Sequence, residues 1–109
     1  MLQTLTTPRG ETLSGTPWQV YPRPQMRRDS YINLNGEWDF AVSSGKPETF
    51  DMRITVPFCP ESRLSGIGRH FEEGAPLWYR RRFLLPEGFR RKRVLLHIGA
   101  ADQIAEVFV

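Results

Sequence analysis

The sequence predicts an all-β fold of the sandwich or barrel type. Nine prolines and nine glycines punctuate the 109 residues, and this density interrupts helices while it permits short strands. No window of a dozen residues keeps a helical period without an internal proline or glycine. Short segments of alternating apolar and polar residues recur instead, separated by turns and longer connections. This pattern is typical of antiparallel strands in sandwiches and barrels.

Residues 1–30 are predicted to form an extended N-terminal strap, and residues 31–109 are predicted to form one partial β-sandwich domain. The strap contains Pro8, Pro17, Pro22 and Pro24. Proline-rich extended segments run over a surface and attach to it through a few aromatic side chains, for which Trp18 and Tyr21 are the candidates.

Two strands, each with one packed face, are predicted after the strap. The first covers residues 37–42, after a turn pair at residues 35–36, and the second covers residues 51–56. Their inward positions are Trp38, Phe40 and Val42 in the first and Met52, Ile54 and Val56 in the second. Pro57 and Pro60 end the second strand, because proline cannot donate a hydrogen bond to a strand ladder.

A long loop and three further strands are predicted in the rest of the chain. Residues 59–76 form a connection of a length that is usually functional or disordered in a compact domain. Strands are predicted at residues 77–85, 93–98 and 103–109, with a turn at Pro86-Glu87-Gly88. The last strand reaches Val109 without a stop signal. We therefore expect a truncated domain that self-associates through an unpaired edge strand at residues 105–109.

Composition and spacing narrow the classes of function. A single cysteine, Cys59, leaves no internal disulfide and favours a reducing compartment. Neither a signal peptide nor an apolar run near 20 residues is visible, so we predict a cytoplasmic protein without a membrane segment. The two histidines and Cys59 lack zinc spacing, and His97 is predicted to lie in the interior or an interface. Gly66-Ile67-Gly68 lacks the third glycine of a dinucleotide fingerprint, so no metal or cofactor is predicted.

Five groups of motifs carry a family resemblance by their order and spacing. They are Arg23-Pro24 with Arg28-Asp29; Leu34-Asn35-Gly36-Glu37-Trp38-Asp39-Phe40; Val56-Pro57, Glu61-Ser62 and Leu64-Ser65-Gly66-Ile67; Trp78-Tyr79-Arg80-Arg81-Arg82-Phe83; and Leu96-His97-Ile98-Gly99-Ala100-Ala101-Asp102. The chain thus resembles the N-terminal sugar-binding domain of glycoside hydrolase family 2, the β-galactosidases and β-glucuronidases. Ile98 departs from the family pattern, in which phenylalanine is common.

The resemblance implies a galactose-binding-domain-like jelly-roll β-sandwich that is incomplete at its C-terminal end. It also implies a parent protein that is a retaining β-glycosidase, with β-galactosidase favoured, whose separate barrel carries both catalytic glutamates. No catalytic residue is expected in this segment, which would buttress the barrel and close one rim of the substrate pocket. In the family, the loop before the Trp78 strand leans toward the active site. Arg69 and His70 are therefore candidate peripheral contacts to a β-galactoside or β-glucuronide.

Two other functions remain open from the sequence. One is a stand-alone carbohydrate-binding or interaction module. The other is a nucleic-acid-binding β-barrel, because residues 80–93 are rich in arginine with interleaved aromatic residues. Strand alternation would send Arg80 and Arg82 to one face and Arg81 to the other, which leaves no single basic patch. We therefore expect no nucleic-acid partner. Glu61-Ser62 is predicted to serve in the turn after Pro60 and Glu72-Glu73 to be a solvated acidic pair, and neither is predicted to supply catalytic carboxylates.

Overall fold

The computed structural model describes residues 7–16, 19–20, 23, 25 and 28–109. Within them, the chain forms a helix α1 (Pro8–Thr12), strands β1 (Gly36–Val42) and β2 (Met52–Val56), a 3-10 turn (Arg63–Ser65) and strand β3 (Leu77–Arg80). Strands with little helix agree with the predicted all-β class. No helix in the described part of the chain is both long enough and apolar enough to cross a membrane.

The three strands form one antiparallel sheet with the order β2-β1-β3, so that β1 is central. Phe40 of β1 lies opposite Met52 of β2 and Tyr79 of β3, and these three residues share one face. On the other face, Asp39 lies opposite Arg53 and Arg80. The sheet therefore has an apolar aromatic row on one side and a row of opposite charges on the other.

The core is small and centred on β1. Phe40, Ala41 and Ile54 are its buried apolar residues among those described. The Phe40 ring meets Tyr79 edge-on at 5.1 Å and Phe71 at 5.6 Å between ring centroids, within the range at which aromatic pairs attract each other. The loop after β2 thereby covers the apolar face of the sheet.

No turn forms at the predicted pair of residues 35–36, because Gly36 is already the first residue of β1, but the positive φ expected there is observed at Gly36. Gly36 has φ +133°, a backbone conformation that would be strained in a residue with a side chain. Three hydrogen bonds from two side chains converge just before the strand. Trp38 Nε1 donates to the Leu34 carbonyl at 2.7 Å, and Arg81 Nη1 donates to the carbonyls of Leu34 at 2.6 Å and Asn35 at 2.9 Å. Arg81 thus ties the end of β3 to the start of β1.

The first two predicted strands are confirmed to within one residue, and the later ones are not. β3 was predicted to end at Leu85 but ends at Arg80. The next residue, Arg81, is outside the ladder, and its side chain donates to the carbonyls before β1. The strands predicted at 93–98 and 103–109 are wrong, because both segments are exposed and outside the sheet. Their apolar content suits strands, but a strand needs a hydrogen-bonded neighbour and a covered face. The turn at residues 86–89 is confirmed, with Phe89 N donating to Pro86 O at 3.0 Å.

The segment predicted as an extended strap contains the short helix α1. The Thr7 side chain accepts a hydrogen bond from Gly10 N at 3.0 Å and caps the helix, and Pro8 occupies its first position; both residue types are favoured there. Trp18 and Tyr21 lie outside the described residues. The described residues contain one sheet and not the second layer of a sandwich.

Candidate functional site

The loop that follows β2 is organised by two serines. The Ser62 side chain accepts a hydrogen bond from Ser65 N and caps the 3-10 turn. Ser65 is buried, and its hydroxyl lies 2.7 Å from the Ser62 carbonyl and 3.2 Å from the Pro60 carbonyl while accepting from Ile67 N. The predicted turn role of the Glu61-Ser62 pair is confirmed for Ser62. The serines hold the loop compactly although few of its residues are buried.

Two backbone features close this loop. Gly66 ends the 3-10 turn in the left-handed region at φ +85°, a conformation that favours glycine. Arg69 N then donates to Pro60 O at 3.2 Å, which joins the two ends of the segment. Residues 60–69 therefore form a closed loop, from which Arg69 and His70 emerge.

Arg69 packs over the apolar side of the loop. Its guanidinium lies 4.8 Å from the centroid of the Phe71 ring, a cation–π distance, and Nη2 lies 3.8 Å from Met52 Sδ. The side chain is nevertheless exposed. Because Phe71 packs on Phe40, the position of Arg69 depends on the core of the sheet.

His70 points to a different neighbour. Its Nδ1 lies 3.5 Å from Glu61 Oε1, and both side chains are exposed. The sequence-predicted pair Arg69 and His70 therefore does not converge on one point, since the first contacts Phe71 and Met52 and the second contacts Glu61. Glu72 and Glu73 are exposed, as predicted for a solvated acidic pair, and they lie at a turn closed by Ala75 N donating to Glu72 O.

Tyr79 of β3 lies at the base of this region and has an altered acidity. Partial burial raises the pKa of its hydroxyl above the ordinary value, and the negative charges of Glu61 and Cys59 raise it further. Glu61 and Cys59 belong to the loop, so the loop influences the protonation of a side chain of β3. Tyr79 remains protonated over a wider pH range than a free tyrosine.

A shallow depression of about 210 Å³ lies between the loop and β2 and is lined by Met52, Arg53, Gly66, Ile67 and Arg69. Arg53 also forms an ion pair with Glu37 across the sheet, and this contact raises the pKa of the Arg53 guanidinium. The lining of the depression thus combines two cationic side chains with the apolar side chains of Met52 and Ile67. Such a surface can contact the hydroxyl or anionic groups of a sugar, but it supplies no acid–base pair.

The histidine, cysteine and acidic residues in the described part of the chain show no arrangement for metal binding. No group of three histidine, cysteine or acidic side chains there is placed to hold a metal ion. Cys59 is an exposed free thiol. His97 is exposed, so the prediction of an interior position is wrong; the strand that would have buried it does not form.

Arg80, the last residue of β3, and Arg81, which follows it, both contact other parts of the fold. Arg80 donates twice to Asp39 Oδ2, at 3.0 and 3.1 Å, and its guanidinium lies 4.1 Å from the Phe50 ring centroid. Arg81 donates to the carbonyls before β1. Arg80 and Arg81 therefore have different partners, and β3 ends before the alternation predicted for residues 80–82.

No protein-family model matches the chain, and a search of curated proteins finds no match. The functional reading therefore depends on the motifs and on the geometry above.

Sequence reasoning missed the roles of Ser65, Phe71 and Tyr79. Ser65 lies three residues after Ser62, a spacing at which a capping hydroxyl accepts from a backbone N–H. The contact between these two serines could therefore have been predicted from the sequence. Phe71 and Tyr79 become important only because both meet Phe40. Such contacts between distant residues leave no local signal.

Proposed function

We propose that this chain is the N-terminal part of a retaining β-glycosidase of glycoside hydrolase family 2, with β-galactosidase favoured. Its role is to support the catalytic barrel and to form part of the substrate-pocket rim, where Arg69 and His70 contact the carbohydrate. Hydrolysis with retention needs two carboxyl groups about 5–5.5 Å apart that flank the glycosidic bond. Here Glu37, Asp39 and Glu61 each face a basic side chain instead. The catalytic pair belongs to the barrel.

The observation that carries this proposal is the contact between two of the resembling motifs. Arg81 of the Trp78–Phe83 motif donates to the carbonyls of Leu34 and Asn35, and Arg80 pairs with Asp39 of the first motif. These residues are more than 40 positions apart in the chain. A chance likeness in sequence would not require the matching residues to bind each other, so the contact supports a shared fold.

The jelly-roll sandwich is part of the same proposal. The sheet would be one layer of the sandwich, and the apolar residues of segments 94–98 and 104–109 would contribute to the second layer. Trp78 stacks on Phe108 with 6.5 Å between centroids and 12° between planes, which brings the last segment toward the sheet. Exposed apolar side chains there, among them Ile104 and Val107, also favour self-association of this chain. A cytoplasmic location completes the proposal, on the basis of the single cysteine.

The test combines the gene and the purified chain. The reading frame beyond the codon for Val109 is expected to encode a barrel with two glutamates, and the 109-residue chain is expected to leave a chromogenic β-galactoside intact. Turnover by the pure chain, or a reading frame without a barrel, would overturn the proposal. Saturable galactoside binding by the chain alone would instead favour a stand-alone carbohydrate-binding module.

A further inference from the structure

The basic side chains of the sheet differ from those that follow it in what they contact. Arg80 and Arg81 bind a carboxylate and backbone carbonyls, as described above. The basic segment, which we define as residues 90–93 (Arg-Arg-Lys-Arg), is exposed along its whole length. Within the described part of the chain, no ion pair or hydrogen bond involves its side chains.

The acidic groups near this segment are few and lie on one side. Arg91 borders a surface depression that also contains Asp29 and Glu87, so its charge is partly balanced. After Arg93 the next acidic residue along the chain is Asp102. Arg90, Lys92 and Arg93 are therefore the charges that remain available to a ligand.

Four consecutive positive charges exceed the net charge of the whole chain, which is +3. Adjacent like charges repel each other, and a bound polyanion relieves that repulsion and gains a salt-dependent attraction. Arginine makes paired hydrogen bonds to planar oxyanions such as carboxylates. The chemistry of the basic segment thus fits a ligand with a series of anionic groups.

The surroundings of the segment disfavour a single-stranded nucleic acid. Proteins that bind such strands stack the bases on exposed aromatic rings. Phe89, the aromatic residue before the segment, is half-buried, and the next aromatic residue is Phe108. Contact through charge alone is better suited to a sugar chain with acidic groups.

We propose that the basic segment is a binding surface for an acidic polysaccharide with repeated carboxylate or sulfate groups. The choice of a polysaccharide over an acidic peptide rests on the proposed function in carbohydrate hydrolysis. The surface is separate from the rim residues Arg69 and His70. The basic segment would hold a long anionic substrate, or the polymer matrix in which the substrate is embedded, close to the enzyme. It would not take part in the reaction.

The experiment is affinity electrophoresis of the full chain in gels that contain polygalacturonate, with a neutral galactan as the uncharged probe. Retardation is expected with polygalacturonate only, and it should weaken as salt is raised. The variant R90Q/K92Q/R93Q is expected to bind about tenfold more weakly, because the loss of each of three exposed ion contacts is expected to weaken binding about twofold.

The variant R9Q/K46Q/R63Q is the matched control, because it removes the same residue types and the same charge from exposed positions elsewhere. It is expected to keep most of the binding. Equal weakening by both variants would overturn the proposal, because it would mean binding by net charge. Binding of polyglutamate or of an oligonucleotide as tight as that of polygalacturonate would also overturn it. These results leave the gene test of the proposed function unaffected, so failure of one is distinguishable from failure of the other.

Discussion

Residues 36–80 are no richer in apolar residues than residues 81–109, but the two regions have different structures. The first region forms the sheet, its buried core and the closed loop. The second has no strand and contains most of the exposed large apolar side chains, among them Phe83, Leu84 and Leu95. The difference shows that apolar alternation gives a segment the capacity to form a strand, whereas a hydrogen-bonded neighbour makes the strand stable.

The largest difference between the two regions should appear when one apolar side chain is removed from each. Phe40→Ala deletes a ring that is 0% exposed and that contacts both Phe71 and Tyr79. A loss of about 3–5 kcal/mol in the free energy of unfolding is expected for such a change. Because small domains have little stability to lose, urea denaturation followed by circular dichroism should show the sheet unfolded or nearly so.

The control for this variant is Leu84→Ala, which removes a side chain that is 92% exposed. A change of roughly 0.5 kcal/mol or less is expected. Similar losses from both variants would mean that the Leu84 side chain is buried in solution, and the contrast between the regions would disappear.

A smaller effect is expected at the boundary between the regions, where two neighbouring arginines have different surroundings. Arg81→Gln removes the cationic donor to the Leu34 and Asn35 carbonyls. Hydrogen bonds from charged groups contribute about 1.5–3 kcal/mol each when buried. Since Arg81 is half-buried, we expect a loss of about 2 kcal/mol in total, measured as a lower midpoint of thermal unfolding.

Arg82→Gln is the matched control, because Arg82 is exposed and carries the same charge one residue later. Its unfolding midpoint should stay close to that of the unchanged chain. If both variants lowered the midpoint equally, positive charge would matter and not the carbonyl contacts of Arg81. The contact between the two family-like motifs would then no longer support the proposed shared fold.

The extent of successful prediction follows the same division. β1 and β2 were predictable because Gly36 and Pro57 mark their limits and their alternation is local. The end of β3 depends on what Arg81 binds more than 40 residues away, and no local pattern carries that information. The failed strands at 93–98 and 103–109 have suitable residues but no partner strand in the described fold.

The candidate site shows the same limit. Arg69 and His70 were correctly placed in the loop between β2 and β3, because proline and glycine delimit it. Their divergence was not predictable, since it arises from Phe71 on one side and Glu61 on the other. Position along the chain could be predicted, whereas the direction of each side chain depends on packing against the sheet.

The smallest expected effect concerns protonation of the sheet region. The pKa of Tyr79 is raised in the folded chain, mainly by burial and also by the charges of Glu61 and Cys59, whereas in the unfolded chain it returns to about 10. Between these two values the folded chain holds a proton that the unfolded chain has lost. The free energy of unfolding must therefore decrease as the pH rises above about 10.

Tyr79→Phe removes this titration, so the difference in stability between the original chain and the variant should be constant below about pH 9 and shift in favour of the variant at higher pH. Urea denaturation at a series of pH values measures this difference. A difference that stays constant through about pH 11 would mean that the hydroxyl is solvated as freely as in the unfolded chain, and that the loop does not cover this face of the sheet.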